Sequence, residues 1–233
     1  MVSASTDRWM PPPAAAPSPV AASTVDFDEV LRRRRMVRHF TDRPVDPQHV
    51  DALLAAALRA PSAGFTQGIR LLVLTEAADR RRLWAASDWV PADDGRARVA
   101  ARLREAPVLV VPLCSEAAYR ARYAEPDKTS AGGWSAPYWY VDAAFAAMLV
   151  LLKAVDLGLG ALFMGTSPGW VGPFRDEFGV PAEWDPIGVV LVGHRHPEVG
   201  PAQRRDRRLP VEVMVHRGHW HGEVLPPRSC APK

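Results

Sequence analysis

Apolar residues recur at helical spacing in several stretches of this chain, and residues that start or stop helices bound most of these stretches. Ser23 and Asp26 form a capping-box pattern, which predicts a short helix over the next two turns. A second helix is expected to begin at Asp46-Pro47 and to end before Pro61, because proline fits the first turn of a helix but not its interior. Its apolar face consists of Val50, Leu53, Leu54, Ala57 and Leu58. Further helices are expected at 77–86, 95–105, 142–155 and 168–178.

Short, continuous apolar runs between these helices predict buried strands. They lie at 69–75, 108–114, 161–164 and 187–192. A late strand is also expected at 210–215, where it could join the sheet of a second copy of the chain. The helix at 142–155 is apolar on nearly every side, as expected for a helix buried in a core or between subunits. The pattern therefore predicts one domain in which helices cover a sheet.

The two ends of the chain differ in composition from the part between them. Residues 1–22 are rich in Pro, Ala and Ser without periodic apolar residues, which is typical of a disordered tail. They lack a basic start followed by an apolar core, so a secretory signal is not expected. The longest apolar run, 143–152, is much shorter than the roughly 20 residues that span a bilayer, so no membrane anchor is expected. The expected organisation is a disordered tail at 1–22, one domain at 23–222 and a flexible tail at 223–233.

Composition narrows the class of protein further. The 233 residues are 48% hydrophobic and 24% charged, which is ordinary for a globular, cytoplasmic protein with a sizeable core. Basic and acidic residues are interleaved and the net charge is only +3, so a dedicated nucleic-acid-binding surface is not expected. The two cysteines, Cys114 and Cys230, do not form a disulfide framework, and Cys114 lies in an apolar run typical of a buried core thiol.

Fixed positive charge is concentrated where the first predicted helix ends. Arg34, Arg35 and Arg38 carry planar guanidinium groups that suit bidentate contact with a phosphate. A run of arginines at a helix end is also typical of a solvated surface that complements the helix dipole. The run alone therefore leaves both interpretations open.

A small, polar, proline-broken loop follows the second predicted helix at 60–67. Ser62, Thr66 and Gln67 supply hydrogen-bonding groups, and Gly64 is small enough to let a flat ring approach the backbone. Such a string is also common where a helix simply ends before proline. Taken together, the arginine run and this loop suit a phosphorylated, planar, redox-active ligand.

The order and spacing of these motifs resemble the opening of the nitroreductase-like flavoprotein family. The chain has Arg-Arg-x-x-Arg-x-Phe at 34–40, a Pro-Val turn at 44–45 and Ala-Pro-Ser-x-x-x-x-Gln at 60–67. The similarity continues through the glycines of 158–165 and through Gly-His-Arg at 193–195. It therefore extends over most of the chain, from about residue 25 to about residue 210.

This resemblance implies an α+β fold, a nitroreductase-like three-layer sandwich with a mainly antiparallel sheet flanked by helices. It further implies an intertwined homodimer with two active sites at the subunit interface. The implied cofactor is FMN, and NADH or NADPH would be the transient electron donor. Composition and periodicity alone do not indicate any of these properties.

The resemblance also implies which residues contact FMN. Those expected along its phosphate, ribityl chain and pyrimidine are Arg34, Arg35, Met36 and Arg38. Those expected along the ring are Ser62, Gly64, Phe65 and Gln67. Those expected near the reactive N5 edge are Met164, Gly165 and Thr166, and Arg208 would return to the phosphate. Arg38 is expected to place a positive charge near N1 of the ring, acting in a water-poor site.

The chain departs from the family pattern at three places. Phe65 stands where many members have Asn, and Gly68-Ile69 stands where they have Pro-Trp. Phe65 is similar to the aromatic or aliphatic residue of the flavin-cleaving branch that makes dimethylbenzimidazole. That branch usually has Asp at the position of Met36. Since a thioether cannot relay protons, Met36 favours ordinary flavin turnover.

The expected activity is therefore transfer of two electrons from NAD(P)H to a small electron-poor acceptor such as a nitroaromatic or a quinone. Two alternatives stay open. A flavin-cleaving, dimethylbenzimidazole synthase-like enzyme would lose its yellow chromophore under oxygen after reduction. A non-catalytic protein that binds or stores FMN would hold the flavin without being reduced by nicotinamides.

Two further clusters have more than one interpretation. Trp134 and the aromatic residues at 138–140 end a long connection, and they suit either core or dimer packing or an aromatic wall over the flavin. His216, His219 and His221 have spacing that could suggest a metal, but they sit beside a Pro-rich tail with no cysteine close by. A metal site is therefore not expected.

Overall fold

The computed structural model describes residues 26–87, 96–128, 133–197, 209–220 and 222. The helices are Phe27–Arg33 (α1), Pro47–Ala57 (α2), Ala77–Ala86 (α3), Arg96–Arg104 (α4), Glu116–Tyr123 (α5), Tyr138–Asp156 (α6), Pro168–Phe178 (α7) and Val211–Met214 (α8). Short 3₁₀ turns lie at Ala63–Phe65 and Pro126–Lys128. The strands are Ile69–Leu74 (β1), Val108–Cys114 (β2), Gly160–Met164 (β3), Asp185–Pro186 (β4) and Val189–Gly193 (β5).

The described strands form a five-stranded sheet in the order β1-β2-β5-β3, and the short β4 also pairs with β2. Every pair is antiparallel. Ile69, the first residue of β1, pairs with Cys114 at the end of β2, while Met164 at the end of β3 pairs with Val189 at the start of β5. The segment that enters β1 and the segment that leaves β3 therefore lie at the same end of the sheet, on opposite edges.

Alternating side chains of the central strands supply two hydrophobic cores, one on each face of the sheet. Leu109 and Val111 of β2 pack on the face covered by α3, α4 and α7. Val108 and Val110 pack on the face covered by α2 and α6. Burial of both faces explains why β2 is apolar and completely buried along its length. The expected α+β, three-layer sandwich with an antiparallel sheet is confirmed.

Helix α6 is longer than its apolar run suggested. It spans 19 residues and begins at Tyr138, four positions before the expected start at residue 142. By length and composition alone it could cross a membrane. Ala143, Ala146 and Val150 are buried, however, and the helix packs on α2, β2 and β3. These contacts are those of a core helix in a folded domain.

Two expectations about local structure are wrong, and one helix was missed. A strand was expected at 210–215, but Val211–Met214 is the short helix α8, and the Val215 N–H donates to the Val211 oxygen at 2.8 Å. None of the described strands pairs with this segment, and valine's preference for strands has no effect without a partner. Leu58, expected on the apolar face of α2, lies just after its end and is 71% exposed. Helix α5 was not expected.

Two compact units divide the chain, one ending at Pro197 and the other starting at Glu198. All strands and helices α1 to α7 belong to the first unit. The tails expected at 1–22 and 223–233 lie outside the described residues. The domain bounds 23–222 stay a prediction.

Candidate functional site

The arginine segment is fixed beside strand β3. Helix α1 ends where the Arg34 N–H donates to the Val30 oxygen at 2.9 Å, and the chain then turns extended. Met36 forms a parallel bridge with Ala161 of β3, and the Val37 N–H donates to the Ala161 oxygen at 2.9 Å. The side chain of Met36 packs against both hydrophobic cores. The segment is therefore joined to the sheet at its β3 edge and packed against both cores.

The three arginines of this segment differ in their surroundings. Arg35 donates through Nη1 to the carbonyl oxygens of Arg32 and Arg34, each at 2.7 Å. Arg38 is exposed, and its Nη1 lies 3.4 Å from the Met36 oxygen. Arg34 is half-buried, and its Nη1 is buried with no hydrogen-bond partner among the described residues. A buried guanidinium donor without an acceptor is costly, so Arg34 fits an anionic group such as a phosphate.

The loop at 62–67, called here the ring-side loop, has an unusual backbone conformation. Gly64, Phe65 and Gln67 have φ values of 62°, 53° and 53°, in the left-handed region. Glycine occupies this region freely, but each non-glycine residue there costs about 1 kcal/mol or more. Phe65 is also 76% exposed, so its ring faces solvent in a single chain. Such a loop persists only if its surroundings hold it.

Hydrogen bonds within the ring-side loop support this conformation. Ser62 Oγ accepts the Gln67 N–H at 2.8 Å, and Thr66 Oγ1 donates to the Ala63 oxygen at 2.6 Å. One lone pair of Ser62 Oγ is therefore used within the loop. The expected contact of Ser62 with a ligand would use its hydroxyl proton or its second lone pair.

Helices α5 and α6 hold the ring-side loop from behind. Asp142, only 3% exposed, accepts through Oδ2 the Ala63 N–H at 2.7 Å and also the hydroxyl of Tyr119. Arg122 donates through Nε to the Gly64 oxygen at 3.0 Å. Burial, and next the hydrogen bond to Asp142, raise the pKa of Tyr119 well above its usual value, so this hydroxyl stays a donor at working pH.

Met164, Gly165 and Thr166 leave the end of β3 and line a cavity of about 210 Å³. Trp84 of α3 and Trp170 of α7 form other parts of its wall. Gly188 packs closely against the end of this strand. A Cβ atom on Gly188 would lie only 2.6 Å from the Met164 carbonyl oxygen. The expected N5-edge residues thus border a small, mostly apolar space.

The sheet separates the expected ring-side residues into two groups. The ring-side loop enters β1 and residues 164–166 leave β3, at the same end of the sheet but on opposite edges. Three strand spacings of about 4.8 Å put these edges roughly 14 Å apart. The arginine segment lies on the β3 edge, with residues 164–166. One protomer therefore brings Arg34 to Met36 beside β3, but it does not bring the ring-side loop to them.

Trp134 and Trp139 pack behind the ring-side loop. Their ring centroids are 5.7 Å apart, and Trp134 also lies 5.2 Å from the ring of Tyr123. A Cβ atom on Gly64 would lie 2.8 Å from Cε2 of the same Tyr123 ring, so this glycine fits closely against α5. These contacts are packing within one chain, while Tyr140 remains 42% exposed at the start of α6. An aromatic wall over the flavin stays a prediction.

Arg208, which was expected to contact the phosphate, lies outside the described part of the chain. His221 of the histidine cluster, where no metal site was expected, lies outside it as well. His216 lies against Trp220, with ring centroids 4.1 Å apart. Among the described residues there is no group of three His, Cys, Asp or Glu side chains that could hold a metal ion.

Sequence reasoning missed the residues that hold the ring-side loop: Tyr119, Arg122 and Asp142. A signal for α5 was present, since Ser115 precedes Glu116 and its Oγ accepts the Ala118 N–H at the start of the helix. The partner of Asp142 could not be found in this way, because it lies 79 positions away along the chain at Ala63.

Comparisons with known proteins agree with this fold. A model of the nitroreductase family matches residues 31–194. The oxygen-insensitive NADPH nitroreductase of Salmonella typhimurium is 27% identical over 194 residues, which cover 82% of this chain and 73% of that protein. An FMN-dependent nitroreductase from Clostridium difficile superposes with a TM-score of 0.61 at 22% identity, over 82% of this chain and 98% of the other. Nitroreductase A from Vibrio parahaemolyticus superposes with a TM-score of 0.63 at 23% identity, over 85% of this chain and 78% of the other. These two structures share the fold of this chain, and the family match confirms the resemblance found in the motifs.

Proposed function

Because this chain belongs to the nitroreductase family, we propose that it is an FMN-dependent oxidoreductase that passes two electrons from NADH or NADPH to an electron-poor acceptor. Acceptors of this class include nitroaromatics and quinones. The observation that carries the proposal is the buried, unpartnered Nη1 of Arg34 beside β3. The names of the relatives support it, since one is called an NADPH nitroreductase and another an FMN-dependent nitroreductase.

Arg34 would hold the phosphate of FMN. Its buried Nη1 has no acceptor among the described residues, and its planar guanidinium suits a phosphate. A phosphate oxygen would satisfy this donor and neutralise the charge in one contact. Arg35 would contribute mainly by fixing the backbone, because its Nη1 is engaged by the carbonyl oxygens of Arg32 and Arg34.

FMN, when bound, supplies the redox chemistry: it accepts a hydride from NAD(P)H and returns two electrons to the acceptor. The protein's own residues would bind, orient and exclude water. The exposed guanidinium of Arg38 would turn from its long 3.4 Å contact with the Met36 oxygen toward the pyrimidine side and stabilise negative charge there. Residues 164–166 would border the place where donor and acceptor enter in turn.

The site would need two protomers. The ring-side loop and residues 164–166 lie on opposite edges of the sheet, roughly 14 Å apart by three strand spacings of about 4.8 Å. A homodimer would bring the loop of one protomer to the β3 edge of its partner. Exposed apolar residues on the packed pair α1 and α6 offer a surface for such a dimer: Phe27, Leu31, Phe145 and Met148.

Sedimentation velocity checks the homodimer. We expect a single species of twice the 25.5 kDa chain mass at micromolar concentration. A protein that binds FMN stoichiometrically as a monomer would contradict the shared site.

Replacing Phe145 with Asp should shift the protein toward monomer and weaken FMN binding together, because the charge would be buried in the interface. The control is Ala78→Asp at an exposed position of α3, which covers the opposite face of the sheet.

Steady-state turnover tests the activity itself. With NADPH or NADH and a quinone, we expect parallel lines in double-reciprocal plots, because donor and acceptor would use one pocket in turn. Absence of turnover by an FMN-loaded protein would favour a flavin-binding or storage protein. Loss of the flavin itself would favour the flavin-cleaving alternative, against which the apolar packing of Met36 argues.

We also propose that the protein works in the cytoplasm, with no nucleic-acid or membrane partner.

A further inference from the structure

Asp142 is the one carboxylate found buried among the described residues. Its side chain is 3% exposed, and none of the ion pairs of the described part of the chain includes it. Removing a carboxylate from water is unfavourable unless hydrogen bonds replace the lost hydration. Nothing in the proposed chemistry uses this group directly.

We propose that Asp142 is a positioning residue that holds the ring-side loop in the conformation needed to receive the flavin ring. It acts through the Ala63 N–H and the Tyr119 hydroxyl, both of which donate to Oδ2. The inference rests on the proposed FMN site. Neither Asp142 nor Tyr119 is expected to touch the flavin.

Strain in the ring-side loop is the first step of the argument. Two non-glycine residues, Phe65 and Gln67, have φ values of 53°. The contacts within the loop, from Ser62 to Gln67 and from Thr66 to Ala63, would also form in a relaxed loop that had moved as a body. External contacts are therefore required to fix where the loop lies.

Convergence of those external contacts is the second step. Ala63 begins the 3₁₀ turn that contains Gly64 and Phe65, so its N–H fixes the start of the strained segment. The Tyr119 hydroxyl, oriented by Asp142, lies 3.5 Å from Oγ of Ser62, the residue immediately before the same turn. Asp142 thus acts on the loop at two adjacent positions, one directly and one through Tyr119.

The negative charge of Asp142 is the third step. Hydrogen bonds to an ionised acceptor are roughly twice as strong as those to a neutral one. An asparagine would keep the volume and one acceptor oxygen, but it would bind both donors more weakly. We therefore expect Asp142→Asn to raise about tenfold the fraction of molecules in which the ring-side loop has left this conformation. The cores on either side of the sheet should stay intact.

The test combines amide hydrogen exchange of the apo protein with FMN titration. In Asp142→Asn, amides of residues 63–67 should exchange about tenfold faster, those of β2 and β5 should be unchanged, and FMN should bind about tenfold more weakly. The matched control is Asp79→Asn, which removes an exposed carboxylate paired with Arg82 on α3 and should change neither quantity.

Either of two results would overturn the positioning role. One is wild-type loop exchange and wild-type FMN affinity in Asp142→Asn. The other is faster exchange throughout β2 and β5, which would show a general structural role. If wild-type protein takes up no FMN, the proposed function itself fails, and the loop exchange then reports separately on whether Asp142 holds the ring-side loop.

A second variant keeps the inference testable if Asp142→Asn does not fold. Tyr119→Phe removes one donor and leaves the ring in its packed position against Trp139. It should loosen the loop and weaken FMN binding in the same direction by about threefold, since one neutral hydrogen bond is lost. Unchanged loop exchange in Tyr119→Phe would overturn the route through Tyr119.

Discussion

Arg34→Ala should lower FMN affinity at least about 100-fold, because a buried charge-assisted contact to phosphate is lost. The same change should leave the apo protein as stable as wild type or slightly more stable. The reason is that Nη1 of Arg34 has no acceptor in the described structure, so its removal relieves a buried unsatisfied donor. Fluorescence titration with FMN and thermal melts of the apo protein measure the two effects.

Arg33→Ala is the matched control for Arg34. The neighbouring Arg33 has an exposed guanidinium that pairs with Glu29 one turn earlier in α1. Exposed pairs of this kind contribute little to stability. FMN affinity should therefore be unchanged in Arg33→Ala. Equal losses in both variants would indicate a general electrostatic effect and would contradict a specific phosphate contact at Arg34.

Gly188→Ala should destabilise the protein by about 3 kcal/mol and lower its Tm by roughly 6–12 °C. Its φ of 151° belongs to a region that side chains rarely adopt. The added Cβ would lie 2.6 Å from the backbone oxygen of Met164, which cannot rotate away. Because Met164 ends β3, the variant should also disturb residues 164–166 and weaken FMN binding. Differential scanning calorimetry and FMN titration measure the two results.

Gly172→Ala is the control for Gly188. Gly172 lies inside helix α7 and has open space where a Cβ would be placed. Alanine favours a helix over glycine by about 1 kcal/mol, so Gly172→Ala should keep or slightly raise the Tm. A Gly188→Ala protein whose Tm equals that of wild type would contradict the close contact between Gly188 and β3.

Local signals predicted most of the fold correctly. The helix at Pro47–Ala57 begins at Asp46, whose side chain accepts the Gln48 N–H, and Gly179 ends α7 with a φ of 61°. Each of these is a short-range signal that the sequence carries on its own. The segment at 210–215 shows the limit, since its valines favour a strand but the described part of the chain offers it no strand partner.

The site was harder to predict because it depends on contacts between distant parts of the chain. Arg34, Arg35 and Arg38 look alike in the sequence, yet only their packing distinguishes a buried unpartnered donor from groups that bind backbone oxygens or face solvent. The ring-side loop was found from its residue types. Its left-handed residues and its attachment to Asp142 depend on α5 and α6, which no local pattern links to it.

The most direct test of the central claim is the absorbance spectrum of purified protein before and after anaerobic addition of NADPH and then NADH. The account predicts a flavin spectrum that bleaches with at least one donor and recovers when a quinone is added. A colourless protein that takes up no added FMN would contradict the cofactor assignment, and with it the roles given to Arg34 and the ring-side loop.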